Sequence, residues 1–90
     1  MATKYTIEYA SSVFKDLKAL SADVRRRAIE AVETILAEDP YRGRPLTGAF
    51  KGLLKYRIGD YRIIYSVEKH RLVIFVLRIR HRKDVCRGLH

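Results

Sequence analysis

The chain contains no tryptophan, one cysteine, one methionine and two prolines. A lone thiol, Cys86, cannot close an internal disulfide, and a single cysteine fits a reducing cytoplasm. Four-ligand metal spacing is absent, and three scattered histidines do not supply it, so neither a metal nor another cofactor is expected. No apolar run approaches the roughly 18 residues that a membrane helix needs. The opening "MATKYTIEYA" has no apolar stretch behind its lysine, so it does not read as a secretion signal. A cytoplasmic chain with no membrane contact is therefore expected. Ninety residues make one domain, 1–90, with a thin core.

Acidic residues are scarce in the second half. Residues 1–40 hold six Lys/Arg and seven Asp/Glu, a net charge of −1. Residues 41–90 hold thirteen and three, a net of +10, which together give the +9 of the whole chain. Such segregation is the footprint of a polyanion-binding surface, a nucleic acid or an acidic protein. The densest cluster is "RIRHRKDVCRG", residues 78–88, directly after the apolar run "LVIFVL". Like charges repel, so this stretch is costly unless an anion meets it.

Periodicity gives the elements. "KYTIEY" alternates as a short strand, with Tyr5, Ile7 and Tyr9 on one side. "SSVFKDLKAL" has Val13, Leu17 and Leu20 at helical spacing, with Phe14 beside them and Ser11 or Ser12 as cap. Ser21 opens a second helix with the stripe Val24, Ala28, Ala31, Val32, Ile35, ending near Pro40. Arg25, Arg26 and Arg27 lie on its outer side, where Glu30 and Glu33 are the expected partners. "YRGRPLTG" reads as a loop, with Tyr41 in it. Three strands follow: "LLKYRI", then "YRIIYSV" after a tight "GD" turn, then "LVIFVLRIR" after "EKHR". The order β-α-α-β-β-β predicts an α+β fold, with two N-terminal helices packed on one face of a mainly antiparallel four-stranded sheet.

Side-chain alternation then sorts the charges. With Leu54, Tyr56, Ile58, Tyr61, Ile63, Tyr65 and Val67 facing the helices, Lys55, Arg57 and Arg62 face away. On the last strand the same rule puts Val73, Phe75, Leu77 and Ile79 inward. Arg78 and Arg80 then share the open face with an apolar floor of Ile64, Ile74 and Val76. The tyrosines at inward parity (Tyr5, Tyr9, Tyr56, Tyr61, Tyr65) read as core. A rigid basic groove binds phosphates and stabilises charge developing on them. Cleavage of RNA by its own 2′-hydroxyl needs a base, charge stabilisation at phosphorus and an acid for the leaving 5′ oxygen. A lysine crowded by arginines holds its proton less firmly, so Lys55 is the candidate base. Arg57 is the catalytic cation close to it, Arg62 and Arg82 are the candidate phosphate clamps, and His81 or Cys86 the acid. Arg78, Arg80, Lys83 and Arg87 supply general attraction for RNA.

The segment "GLLKYRIGDYRIIYSV", followed by "VIFVLRIRHRKDVC", resembles the RelE/ParE toxin superfamily of bacterial toxin–antitoxin systems, over nearly the whole chain. The resemblance implies a RelE-like fold and a type II toxin that inhibits translation. Its RelE branch acts as a ribosome-dependent mRNA endonuclease (an mRNA interferase), metal-independent and using 2′-hydroxyl attack. The implied partners are the ribosome, mRNA and a cognate RelB-like antitoxin, with no small-molecule substrate. The family's hairpin cations fall on Lys55 and Arg57, the arginine of its "YR" on Arg62, and the arginine after the last strand on Arg82. Cys86 stands where relatives often carry tyrosine, and His81 where some place a basic or catalytic residue. Two other readings remain: a ParE-like gyrase inhibitor that cuts nothing, and a catalytically weakened, RNA-binding toxin.

Overall fold

A computed structural model describes residues 4–81. The chain runs β1 (Thr6–Tyr9), α1 (Ser11–Ala19), α2 (Ala22–Glu30), β2 (Arg44–Pro45), β3 (Leu54–Ile58), β4 (Tyr61–Glu68) and β5 (Val73–His81). The strands form one sheet in the order β1-β5-β4-β3-β2. β1 runs parallel to β5, and the other three pairings are antiparallel. The sheet is thus five-stranded and mixed rather than four-stranded. The extra strand, β2, lies inside "YRGRPLTG". Two residues are too few to show alternation, and Pro45 lacks the N–H that a central strand needs, so it sits at the edge.

The helices form for mostly local reasons. Ser21 caps α2, its hydroxyl accepting from the Val24 N–H at 3.3 Å. Arg25 closes the C-terminus of α1: its Nε donates to the Leu17 carbonyl at 3.0 Å and its Nη2 to the Leu20 carbonyl at 3.1 Å. Asp23, rather than Glu30 or Glu33, pairs with Arg26 and Arg27. Beyond Glu30 the helix widens into a π-helical segment, Ala31–Leu36, where the Ala37 N–H reaches back five residues to Val32. On α1 two expectations change. Ala10 is the cap residue and no side chain caps it, because the Ser12 hydroxyl donates instead to the Leu77 carbonyl at 2.8 Å. Phe14 is 57 % exposed, since the buried stripe runs through Val13, Asp16, Leu17 and Leu20.

The core lies between the helices and one sheet face. Val13, Leu20, Ala28, Ala31, Val32 and Leu36 meet Ile63, Tyr65, Ile74, Val76 and Ile79. The five inward tyrosines all belong to this layer, with Tyr65 fully buried. On β3 and β4 the alternation holds. On β5 it is interrupted: Val76 pairs with Tyr65 and Arg78 with Ile64, so Leu77 has no partner on β4. This bulge turns Ile74 and Val76 inward, and Val73 and Phe75 take their place on the far face. The expected floor of Ile64, Ile74 and Val76 is therefore Ile64 with Phe75 and Val73. The cause is that one extra residue reverses every side chain beyond it.

Tyr9 is a weak point of the helix layer. Its hydroxyl is buried with no hydrogen-bond partner among the described residues. Burial, reinforced by the negative charge of Glu33, pushes the phenol up to about 12 from its ordinary 10. The neutral form is the one the fold tolerates. Its contribution is fully present below pH 10 and is lost as pH rises through 12. Tyr9→Phe removes an unsatisfied group, so at pH 7 it should leave stability unchanged or raise it by up to about 1 kcal/mol. In urea titrations between pH 9 and 12 the variant should lose less stability than the wild type; an equal or steeper loss would place the alkaline transition elsewhere.

Candidate functional site

The second sheet face carries the charge. Residues directly opposite across a sheet share a face. Arg57 pairs with Arg62 and Arg62 with Arg80, so three arginines from three strands form one row. The next row is Arg44, Lys55, Ile64 and Arg78. Directly opposed like charges destabilise a sheet. The row is held by backbone pairing in spite of its side chains, and an anion placed over it relieves the repulsion.

Arg62 sits at the centre. Its Nη1 is buried with no hydrogen-bond partner among the described residues. A buried guanidinium nitrogen without an acceptor is costly, while Arg62 itself lines the groove, where a phosphate would meet it. Arg57 is exposed, its Nε donating to the Gly59 carbonyl at 3.1 Å. Gly59 itself has φ of +58°, which the tight turn between β3 and β4 requires. Lys55, half-buried between Arg44 and Ile64 in register, completes the cluster. Together these side chains line a groove of about 380 Å³, to which Arg42, Gly43 and Arg44 also contribute.

The structure thus brings Lys55, Arg57 and Arg62 into one groove, and register sets Arg80 beside Arg62. It separates two others. His81 follows Arg80 and so turns to the opposite face, where its ring meets Tyr61 edge-on at 5.3 Å. There it lines a second cleft of about 300 Å³ against α1, which Lys15, Leu20, Arg78 and Arg80 also border. Arg78 shares the cation face by register, but its guanidinium is engaged by Asp16 of α1 at 3.0 Å and its side chain is 25 % exposed. Arg82, Lys83, Cys86 and Arg87 lie outside the described residues. Sequence reading missed Arg42 and Arg44, because loop residues have no parity to sort them. It also missed Asp16, whose signal was a carboxylate at i+3 from Val13 on an apolar helical stripe.

Comparison with known proteins decides the family. Residues 7–85 match the model described as the ParE toxin of type II toxin–antitoxin systems, parDE. The chain belongs to that family. Two curated toxins of Mycobacterium tuberculosis are similar along their lengths. Toxin RelG is 29 % identical over 92 % of this chain and 97 % of its own. Toxin RelE is 30 % identical, covering 92 % of each. Among solved structures, the toxin–antitoxin complex RelBE2 of M. tuberculosis aligns with a TM-score of 0.86 at 27 % identity, covering 93 % of this chain and 98 % of the other. The archaeal RelE–RelB complex of Pyrococcus horikoshii aligns at 0.70 with 31 % identity, over 88 % and 96 %. The chain is a RelE/ParE-superfamily toxin.

In this toxin the loop side of the groove hangs on one phenol. Tyr65 donates to the Pro40 carbonyl at 2.7 Å and accepts from the Gly43 N–H at 3.0 Å. Burial raises its proton affinity above the usual tyrosine value, so it stays a donor. The bond draws Gly43 so close that a Cβ there would lie 2.5 Å from the Tyr65 hydroxyl and 2.6 Å from the Lys55 carbonyl. Gly43 has an ordinary extended backbone, so room rather than φ demands glycine. Gly43→Ala must push the loop off β3, and Tyr65→Phe must leave the Gly43 N–H and Pro40 carbonyl without their partner. Each should cost about 1–3 kcal/mol in urea denaturation. The double variant should lose less than the sum, because both break the same contact; simple additivity would refute the shared anchor.

Proposed function

We propose that this toxin cleaves mRNA on the ribosome by promoting attack of a 2′-hydroxyl on its own phosphodiester. The observation that supports this most is the Arg57–Arg62–Arg80 row, whose central residue has a buried nitrogen with no partner among the described residues. The row is suited to charge that increases during reaction, since donors fixed by a sheet need no reorganisation when phosphorus gains negative charge. In the proposed step the 2′ oxygen attacks phosphorus as the Lys55 amine, in its uncharged form, takes its proton and becomes ammonium. The bond to the 5′ oxygen then breaks, leaving a 2′,3′-cyclic phosphate and a 5′-hydroxyl end once that oxygen is protonated. Arg57, Arg62 and Arg80 hold the phosphate oxygens, and Arg82 joins the clamp from beyond the described residues. His81 faces the other way, so the acid is sought in the segment after it, where Cys86 stands, or on the ribosome.

The reading also includes a partner. RelBE2 and the archaeal RelE are complexes of toxin with antitoxin. A RelB-like antitoxin is proposed here too, with acidic groups that meet the basic face. Cytoplasmic action follows from the ribosomal target, and no helix of the described residues is long and apolar enough to cross a membrane.

The test is a purified translation reaction. Wild-type toxin should cut mRNA, and Arg62→Ala should cut roughly 100-fold more slowly. A toxin that leaves mRNA whole but blocks DNA supercoiling by gyrase would replace this reading with the ParE-type one. Binding to single-stranded RNA should weaken steeply with salt, and Arg57→Ala should reduce the log–log slope by about 0.7. An unchanged slope would remove Arg57 from the phosphate contacts.

A further inference from the structure

β5 reaches the cation face only through its bulge. With Ile74 and Val76 fixed inward, an uninterrupted strand would turn Arg78 and Arg80 under the helices and leave Ile79 outside. Leu77, the unpaired residue, resets the phase so that Ile79 joins the core and Arg80 joins Arg62.

What holds that bulge is α1. β1 covers the outer edge of β5 only across Val73–Val76. Beyond it the edge would be bare, with peptide groups unpaired. The chain entering α1 supplies partners in order. The Ala10 N–H donates to the Val76 carbonyl at 2.9 Å, and the Ser12 hydroxyl to the Leu77 carbonyl. Asp16 then acts as a substitute strand. Its Oδ2 accepts from the Ile79 N–H at 3.0 Å and from Arg78 Nε at 3.0 Å, and its Oδ1 accepts from Arg78 Nη2 at 3.1 Å. This carboxylate is 8 % exposed. A carboxylate so far out of water persists when fully bonded, and here all three donors come from the bulged end of β5.

We propose that Asp16 is a positioning residue for the RNA site: it locks β5 in the bulged register and thereby delivers Arg80 to Arg62. Arg78 is on this view a strut for the lock rather than a free phosphate contact. The inference rests on the cation face being the RNA site, and its register half stands without that.

The experiment is a double-mutant cycle of Asp16→Ala with Arg80→Ala, read by single-turnover cleavage of ribosome-bound mRNA at saturating toxin, with Tm measured in parallel. Each single change should lower the rate roughly 100-fold. The double should be no slower than Arg80→Ala alone. Asp16→Asn, which keeps an acceptor for the Ile79 N–H, should recover at least tenfold of the loss, and it serves alone should Asp16→Ala fail to fold. Losses that multiply, or a drop in Tm with the rate unchanged, would overturn the inference. If the wild type proves not to cleave, the proposed function falls. Amide exchange then decides the register half: the Ile79 N–H should exchange at least tenfold faster in Asp16→Ala than in Asp16→Asn or the wild type, and unchanged protection in Asp16→Ala would refute it.

Discussion

Three arginines stand side by side because backbone hydrogen bonds hold β3, β4 and β5 in a register that their side chains oppose. Peptide groups in a ladder have fixed partners, so the repulsion cannot be relieved by sliding: a one-residue slip would expose the core face and bury the cations. The repulsive energy is thus retained in the folded chain. It is available to any anion that spans the row, and phosphate, with several oxygens and delocalised charge, matches guanidinium forks better than a single carboxylate does. Arg62, on the central strand, has a buried nitrogen with no partner among the described residues and lies between the other two arginines.

A surface of this kind needs a stiff support, and the rest of the molecule supplies it. The two helices and the inner sheet face bury the aliphatic layer that fixes the strands. Tyr65 crosses from that layer to hold the Pro40–Gly43 loop, so one buried phenol ties the core to the groove's outer wall. On the opposite side Asp16 does the same for β5. The groove is flanked by two polar anchors, each buried and each bonded to backbone. That is how a sheet edge and a loop, otherwise the most mobile parts of a small domain, are held in place.

Much of the groove was legible from alternation. Lys55 and Arg57 flank Tyr56, Arg62 lies between Tyr61 and Ile63, and these short strands have no irregularity to upset the count. The helical stripes of α1 and α2 were legible for the same reason, apart from Phe14, whose neighbour Val13 occupies the buried position. β2 was not, because two residues carry no period. Arg42 and Arg44 were missed with it. His81 was drawn toward the groove by its basic neighbours, although one step of alternation puts it on the helix side beside Tyr61.

The sequence by itself determined which residues alternate, where the helices start, how unevenly charge is spread, and so that a basic face exists. Tertiary structure decided which members of the basic run "RIR" reach that face free. The decision lies in the unpaired Leu77 and in the Asp16 carboxylate that holds the strand beyond it, 62 positions from Arg78 along the chain. A bulge depends on what covers the strand's edge, and that cover comes from a distant helix. No local pattern within β5 records it.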